Sequence, residues 1–288
     1  MYKNNNIKNK KPSYRIDMVV LACTIVFIAC FIIYMFRGEI KPGTTKPSGN
    51  VSTTDSSQVT TTTSKNDSSS KEEPPQDSSS QVAQGPLKNP VPQSAKVEMS
   101  YFDNCAFVGD SLSVGLSAYN ILTTDKVIAS IGLNISKIGT EKFSTAYGKV
   151  TALDALIKKN PANIYIMLGS NGIAWMSNES MITNYSSFID EIKKALPQSK
   201  IYILSIPPVT ENRENAAENP IKNSSIDTYN SELLKMANSK NVYFVDINTA
   251  LKNNLGKLDV DKAEKDGMHF KKATYSIMID YILSHIAE

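Results

Sequence analysis

Apolar positions divide this chain into three regimes. An unbroken apolar run extends from Met18 to Phe36. A stretch from Gly43 to Ala95 has few apolar side chains, and short apolar runs then alternate with amphipathic segments to the end. In the last regime the runs Ala106–Val108, Val127–Ala129, Ile164–Leu168, Ile201–Ile206 and Val242–Ile247 lack a polar face and predict buried strands. Between them, helical spacing of apolar residues predicts helices over Leu112–Tyr119, Val150–Lys158, Met181–Leu196, Ile226–Ser239 and Ala273–Ile286. Strand and helix in strict alternation predict an α/β fold: a parallel sheet covered on both faces. Ligands in such folds bind at the carboxyl ends of the strands.

The first regime reads as a membrane anchor. Its 19 residues would span about 28 Å as a helix, close to the hydrocarbon thickness of a bilayer. Lys3, Lys8, Lys10, Lys11 and Arg15 precede it, which keeps residues 1–17 in the cytoplasm and sends the C-terminus across the membrane. A cleaved signal peptide is the rival reading, but no Ala-x-Ala site follows the run; Arg37-Gly38-Glu39 does. Lipidation at Cys23 or Cys30 fits less well. Only about four apolar residues precede the first, and further apolar residues follow the second.

The middle regime reads as a tether. Nineteen of the 37 residues from Thr44 to Ser80 are Ser or Thr, and prolines recur from Pro74 to Pro92. Such a composition cannot bury enough apolar surface to offset its chain entropy. The predicted organisation is a basic arm over 1–17, a transmembrane anchor over 18–36, a disordered linker over 37–95 and one globular domain over 96–288. The net charge of +3 changes this picture little: the arm holds five basic residues against one acid, whereas residues 96–288 hold 20 against 21. No basic face points to nucleic acid. Cys105 is the domain's single cysteine, so no disulfide forms within it.

Candidate chemistry begins where the first predicted strand stops, at Gly109-Asp110-Ser111. A strand that turns sharply into a helix presents the residue at the turn beside the helix's free N–H groups. Ser111 there is either a nucleophile or a plain helix cap. Lys265-Asp266-Gly267-Met268-His269 lies near the C-terminus and holds one of the chain's two histidines. An Asp three residues before a His, across a glycine turn, can reach the imidazole Nδ1 and leave Nε2 free to accept a proton from a serine. Between them, Gly169-Ser170-Asn171 follows another apolar strand and offers an amide donor.

Gly109-Asp110-Ser111-Leu112, Gly132, Gly169-Ser170-Asn171 and Asp266-Gly267-Met268-His269 resemble, in order, the four blocks of the SGNH hydrolases, the GDSL esterase/lipase family. The resemblance covers roughly residues 100–288. It implies a three-layer αβα sandwich with a mostly parallel, five-stranded, flavodoxin-like sheet. Ser111 then corresponds to the nucleophile, His269 to the general base and Asp266 to the residue orienting it. The Ser111 and Gly132 N–H groups and the Asn171 amide correspond to an oxyanion hole. Two departures stand out: Gly172 follows Asn171 where Asp is common, and the second block, Ser130-Ile131-Gly132-Leu133-Asn134, is sparse.

Other residues admit plainer readings. His285 reads as a surface or end-of-helix histidine, Asp246 as a turn cap, and Pro207-Pro208 as a loop rim. Trp175, the only tryptophan, is either a packing residue or a wall of the substrate pocket. No His/Cys/Asp cluster has metal spacing and no glycine-rich loop suits a phosphate, so no cofactor or metal is expected. The expected protein is a membrane-anchored, extracytoplasmic serine esterase acting on short-acyl, chiefly acetyl, esters of glycans. An O-acyltransferase acting on cell-wall glycan and a catalytically idle wall-binding module are the alternatives. The oligomeric state is left open.

Overall fold

The computed structural model describes residues 87–287. The basic arm, the apolar run and residues 37–86 of the linker lie outside the described residues, as do Cys23 and Cys30. In chain order the elements begin with strand β1 (Cys105–Gly109), helix α1 (Ser111–Ala118), strand β2 (Val127–Ala129) and a hairpin of β3 (Phe143–Thr145) and β4 (Gly148–Val150). Helix α2 (Ala152–Lys159), β5 (Asn163–Met167), α3 (Asn178–Ala195), β6 (Lys200–Leu204) and the one-turn α4 (Glu211–Glu214) follow. The chain closes with α5 (Asn223–Ser239), β7 (Tyr243–Val245), α6 (Ile247–Leu251) and α7 (Lys272–Leu283).

Five strands form one sheet in the order β2-β1-β5-β6-β7, and every pairing is parallel. This is the flavodoxin-like order, with its topological switch point between β1 and β5. All of β1 is buried, as are the four residues from Ile164 to Met167 and the four from Ile201 to Leu204. That burial on both faces is why these strands read as continuous apolar runs. At one register level Phe107, Tyr165, Tyr202 and Tyr243 form a row of stacked rings, with centroids 4.9, 4.6 and 4.8 Å apart. Each such pair adds to the area buried by its rings.

Two expectations change. The predicted helix over Val150–Lys158 starts two residues later, because Phe143–Val150 forms an antiparallel hairpin that ends at Val150; Thr151 then caps α2. The linker expected to reach residue 95 also ends earlier. Residues 89–94 lie against the domain: Val91 N–H donates to the Phe244 carbonyl at 2.7 Å and Asn89 Oδ1 accepts from the Phe244 N–H at 2.8 Å. Ser94 N–H donates to the Ser284 carbonyl at 2.7 Å. The two bonds to Phe244 occupy the outer edge of β7, which would otherwise present unpaired backbone groups.

His285 is buried just past α7 rather than on the surface. Its ring stacks on Tyr281 at 3.7 Å, and Nδ1 bonds the Tyr281 carbonyl at 2.7 Å. Asp246 caps α6, accepting from the Thr249 N–H at 3.2 Å.

Helix α1 is clamped onto α7 through Gly115. The Tyr275 hydroxyl donates to the Leu112 carbonyl at 2.9 Å, and a Cβ at Gly115 would stand 1.9 Å from the tyrosine oxygen. Gly→Ala inside a helix ordinarily gains up to about 1 kcal/mol. Here overpacking, at about 1–3 kcal/mol, together with loss of the tyrosine bond, outweighs the gain. Gly115→Ala should therefore lower the denaturation midpoint by an amount equal to roughly 1–3 kcal/mol, and an unchanged or raised midpoint in urea titration would refute this packing account.

Candidate active site

Three strand ends converge at the switch point. Gly109 closes β1, Ser130 follows β2 and Ser170 follows β5; the Ser130 N–H donates to the Gly109 carbonyl at 3.3 Å. Ser111 occupies the first position of α1, with Asp110 as the cap. The cap carboxylate accepts from the Leu112 N–H at 3.0 Å, while no described residue accepts from the Ser111 N–H. This is the geometry that leaves a first-turn donor facing outward.

His269 reaches Ser111 across 158 residues, with Nε2 2.8 Å from Oγ. On its other side the imidazole Nδ1 makes a short contact with Asp266 Oδ2. Asp266 Oδ1 meanwhile accepts from the Met268 and His269 N–H groups, each at 3.0 Å. Partial burial pushes the Asp266 carboxyl up, but the His269 bond and the two backbone donors win and hold it below the usual carboxylate range. Gly267 makes the intervening turn at φ +72°, and a Cβ there would stand 2.2 Å from Thr210 Oγ1, so glycine is required twice over. The Thr210 N–H bonds the Gly267 carbonyl at 2.9 Å and pins this turn to the loop after β6.

The proposed oxyanion donors are tied to one another. Asn171 Nδ2 donates to the Leu133 carbonyl at 3.1 Å, which fixes the amide and leaves its second hydrogen for a ligand. Leu133 adjoins Gly132, an exposed residue at φ +77° whose N–H has no acceptor among the described residues. Thus the structure brings Ser111, His269 and Asp266 into one hydrogen-bonded chain and links the Gly132 and Asn171 turns. Gly172, at the position where Asp is common in the resembling family, makes a tight turn by donating to the Gly169 carbonyl at 2.8 Å.

Two features escaped sequence reasoning. Asp110 is completely buried, and besides the Leu112 N–H it accepts a short hydrogen bond from Ser170 Oγ. Burial drives its carboxyl up to about 6, with the Ser170 and Leu112 bonds opposing. The second feature is a small hollow, of about 10 Å³, lined by Leu112, Ser170, Ile206, Pro208, Val209 and Met268, among others. Leu112, Ser170 and Met268 are the chain neighbours of Ser111, Asn171 and His269, so the hollow adjoins the site. Pro207-Pro208 therefore forms part of a pocket wall. Trp175 stays outside the hollow: its ring is 70% exposed and its Nε1 donates to the Asn171 carbonyl at 2.7 Å. Among the described residues no group of three or more His, Cys, Asp or Glu side chains could hold a metal ion.

A model of the GDSL-like lipase/acylhydrolase family matches residues 107–277, more than half of the chain. No curated protein matches. Similar solved structures include a GDSL-like lipase from Bacteroides thetaiotaomicron, 18% identical with a TM-score of 0.48, which covers 64% of this chain and 88% of its own. The acetylxylan esterase Axe2 from Geobacillus stearothermophilus is 17% identical with a TM-score of 0.46, covering 68% and 96%. A peptidoglycan O-acetylesterase is 15% identical with a TM-score of 0.43, covering 55% and 44%.

The raised Asp110 carboxyl has a testable consequence. A carboxyl that holds its proton more tightly folded than unfolded contributes stability that is full below about 4 and lost as pH rises through about 6. The stability difference between wild type and Asp110→Asn, which cannot ionise there, should therefore shift against wild type across that window, by up to about 3 kcal/mol. Parallel denaturant titrations from pH 4 to 7 measure it; a flat difference would contradict the buried, ionisable state.

Proposed function

The chain belongs to the GDSL-like lipase/acylhydrolase family, a membership that makes it a serine esterase, and we propose that it releases short acyl groups, chiefly acetate, from glycans outside the membrane. The observation that carries this reading is the Ser111–His269–Asp266 chain of hydrogen bonds opening beside a small apolar hollow.

In this mechanism Ser111 Oγ attacks the ester carbonyl as its proton passes to His269 Nε2. Asp266 holds the imidazole with its Nδ1–H inward and stabilises the imidazolium that forms. Charge developing on the carbonyl oxygen is met by the Ser111 and Gly132 N–H groups and the free amide hydrogen of Asn171. His269 then gives its proton to the departing alcohol. Water, deprotonated by the same imidazole, cleaves the acyl-serine to release the acid and restore the hydroxyl.

The hollow supports the short-acyl assignment. It is bounded by buried side chains, Ile206 and Ile226 among them, and by the stiff Pro207-Pro208 pair, so it suits a methyl-sized group better than a fatty chain. The glycan assignment and the location rest on sequence. The run Met18–Phe36 would anchor the protein in one pass with its N-terminus cytoplasmic, and the Ser/Thr-rich linker would let the domain reach surface polymer. In cells, protease added outside should release the domain while residues 1–17 stay protected; protection of the domain instead would reverse the topology.

Two measurements test the chemistry. Ser111→Ala should lower kcat on an acetyl ester by at least about 10⁴-fold, and combining it with His269→Ala should add little. Retention of a tenth of the activity would remove Ser111 from the nucleophile's role. Across p-nitrophenyl acetate, octanoate and palmitate, kcat/KM should fall with chain length; a preference for palmitate would instead make the protein a lipase.

A further inference from the structure

Residues 38–288 contain 24 lysines and one arginine, Arg213. It lies in α4, against the turn that carries Asp266 and His269. Thr210, whose N–H bonds the Gly267 carbonyl at 2.9 Å, caps this helix by accepting from the Arg213 N–H at 3.4 Å. A Cβ built on Gly267 would stand 3.0 Å from Arg213 Cβ. The single arginine of the domain is therefore packed against the turn that carries Asp266 and His269.

Nearby carboxylates are already engaged. Glu211 and Glu214, on the same helical turn, both pair with Lys257, at 3.2 and 3.3 Å. Glu214 also accepts from the Asn223 N–H at 3.1 Å. Asp266 is taken up by the His269 ring and two backbone donors. Among the described residues no carboxylate lies within ion-pair distance of Arg213, and its Nε is sealed from water with no acceptor. A guanidinium cannot shed its charge, so this cation stands without a counter-charge among the described residues. Its planar fork matches an oxyanion with two acceptor atoms, which a lysine ammonium does not.

We propose that Arg213 is a specificity residue of the esterase site: it receives a carboxylate or phosphate borne by the same glycan whose acyl ester enters the Ser111 site. The preferred substrate is thus an acylated anionic glycan. This rests on the esterase reading above and adds to it the charge of the substrate.

The test uses the full chain in detergent and three acetylated oligosaccharides: one bearing a carboxylate, the same one with that carboxyl reduced to an alcohol, and one bearing a phosphate. Wild type should favour an anionic substrate over the reduced one by about tenfold or more in kcat/KM, mainly through KM, and added salt should shrink the preference. Whichever anion gains more identifies the natural group. In Arg213→Gln the preference should fall to within twofold, and Arg213→Lys should restore part of it, since charge returns without the fork. Thermal melting of both variants checks their fold. No preference in wild type, or the same preference in wild type and in folded Arg213→Gln, overturns the proposal. Wild type that fails to cleave p-nitrophenyl acetate overturns the esterase reading instead. Calorimetric binding of the deacetylated anionic oligosaccharide then decides the subsite by itself: about tenfold weaker binding in Arg213→Gln upholds it and equal binding overturns it.

Discussion

Asp110 holds the candidate site together. Its carboxylate takes the Leu112 N–H of one strand–helix turn and the Ser170 hydroxyl of another, joining loops that leave adjacent parallel strands. A buried carboxyl is tolerable here because both contacts are hydrogen bonds and because its proton affinity can rise. The bond on the first turn holds α1 where the Ser111 N–H stays unpaired. The bond on the second places Ser170, and with it the adjacent Asn171. Asn171 in turn holds the Leu133 carbonyl and so the Gly132 turn. One buried carboxyl thereby fixes the relative placement of a hydroxyl and three prospective donors.

The His269 side of the cleft is built separately and docks through different contacts. The turn over Asp266–His269 carries its own internal bonds, from two backbone N–H groups to Asp266, so the carboxylate and imidazole arrive as a unit. What brings that unit to Ser111 is the loop after β6, through Thr210 and the close approach at Gly267. The same loop supplies Pro207, Pro208 and Val209 to the hollow and leads into Arg213. The wall of the hollow, the docking of the His269 turn and the position of Arg213 therefore share one short segment, and a change there would alter all three.

Much of this was legible in the chain because burial on both faces of a parallel sheet writes itself as apolar runs. The five sheet strands were readable to within a few residues, and so was the serine at the first strand–helix turn. The short range between Asp266 and His269 made their pairing readable, since a glycine turn allows few alternatives. The hairpin over Phe143–Val150 was not readable. Its three-residue strands are half exposed, and its stability comes from contacts such as the Tyr147 hydroxyl with the Asp125 carbonyl, 22 residues away. Ordered residues 89–94 were hidden for a related reason: a proline-rich stretch reads as linker until an open sheet edge is there to pair with it.

By itself, then, the sequence determined the α/β class, the elements that carry Ser111, Asn171 and His269, and the local Asp–His turn. These depend on periodicity and on contacts a few residues apart. Only the tertiary structure decided that Ser170 would meet Asp110, that Pro207-Pro208 would wall a hollow, and that Arg213 would stand beside the His269 turn without a carboxylate partner among the described residues. Each of those joins residues roughly 50 to 100 positions apart or more, and depends on β5 lying between β1 and β6. Strand order places such residues side by side, and no local pattern of hydrophobic and polar positions encodes it.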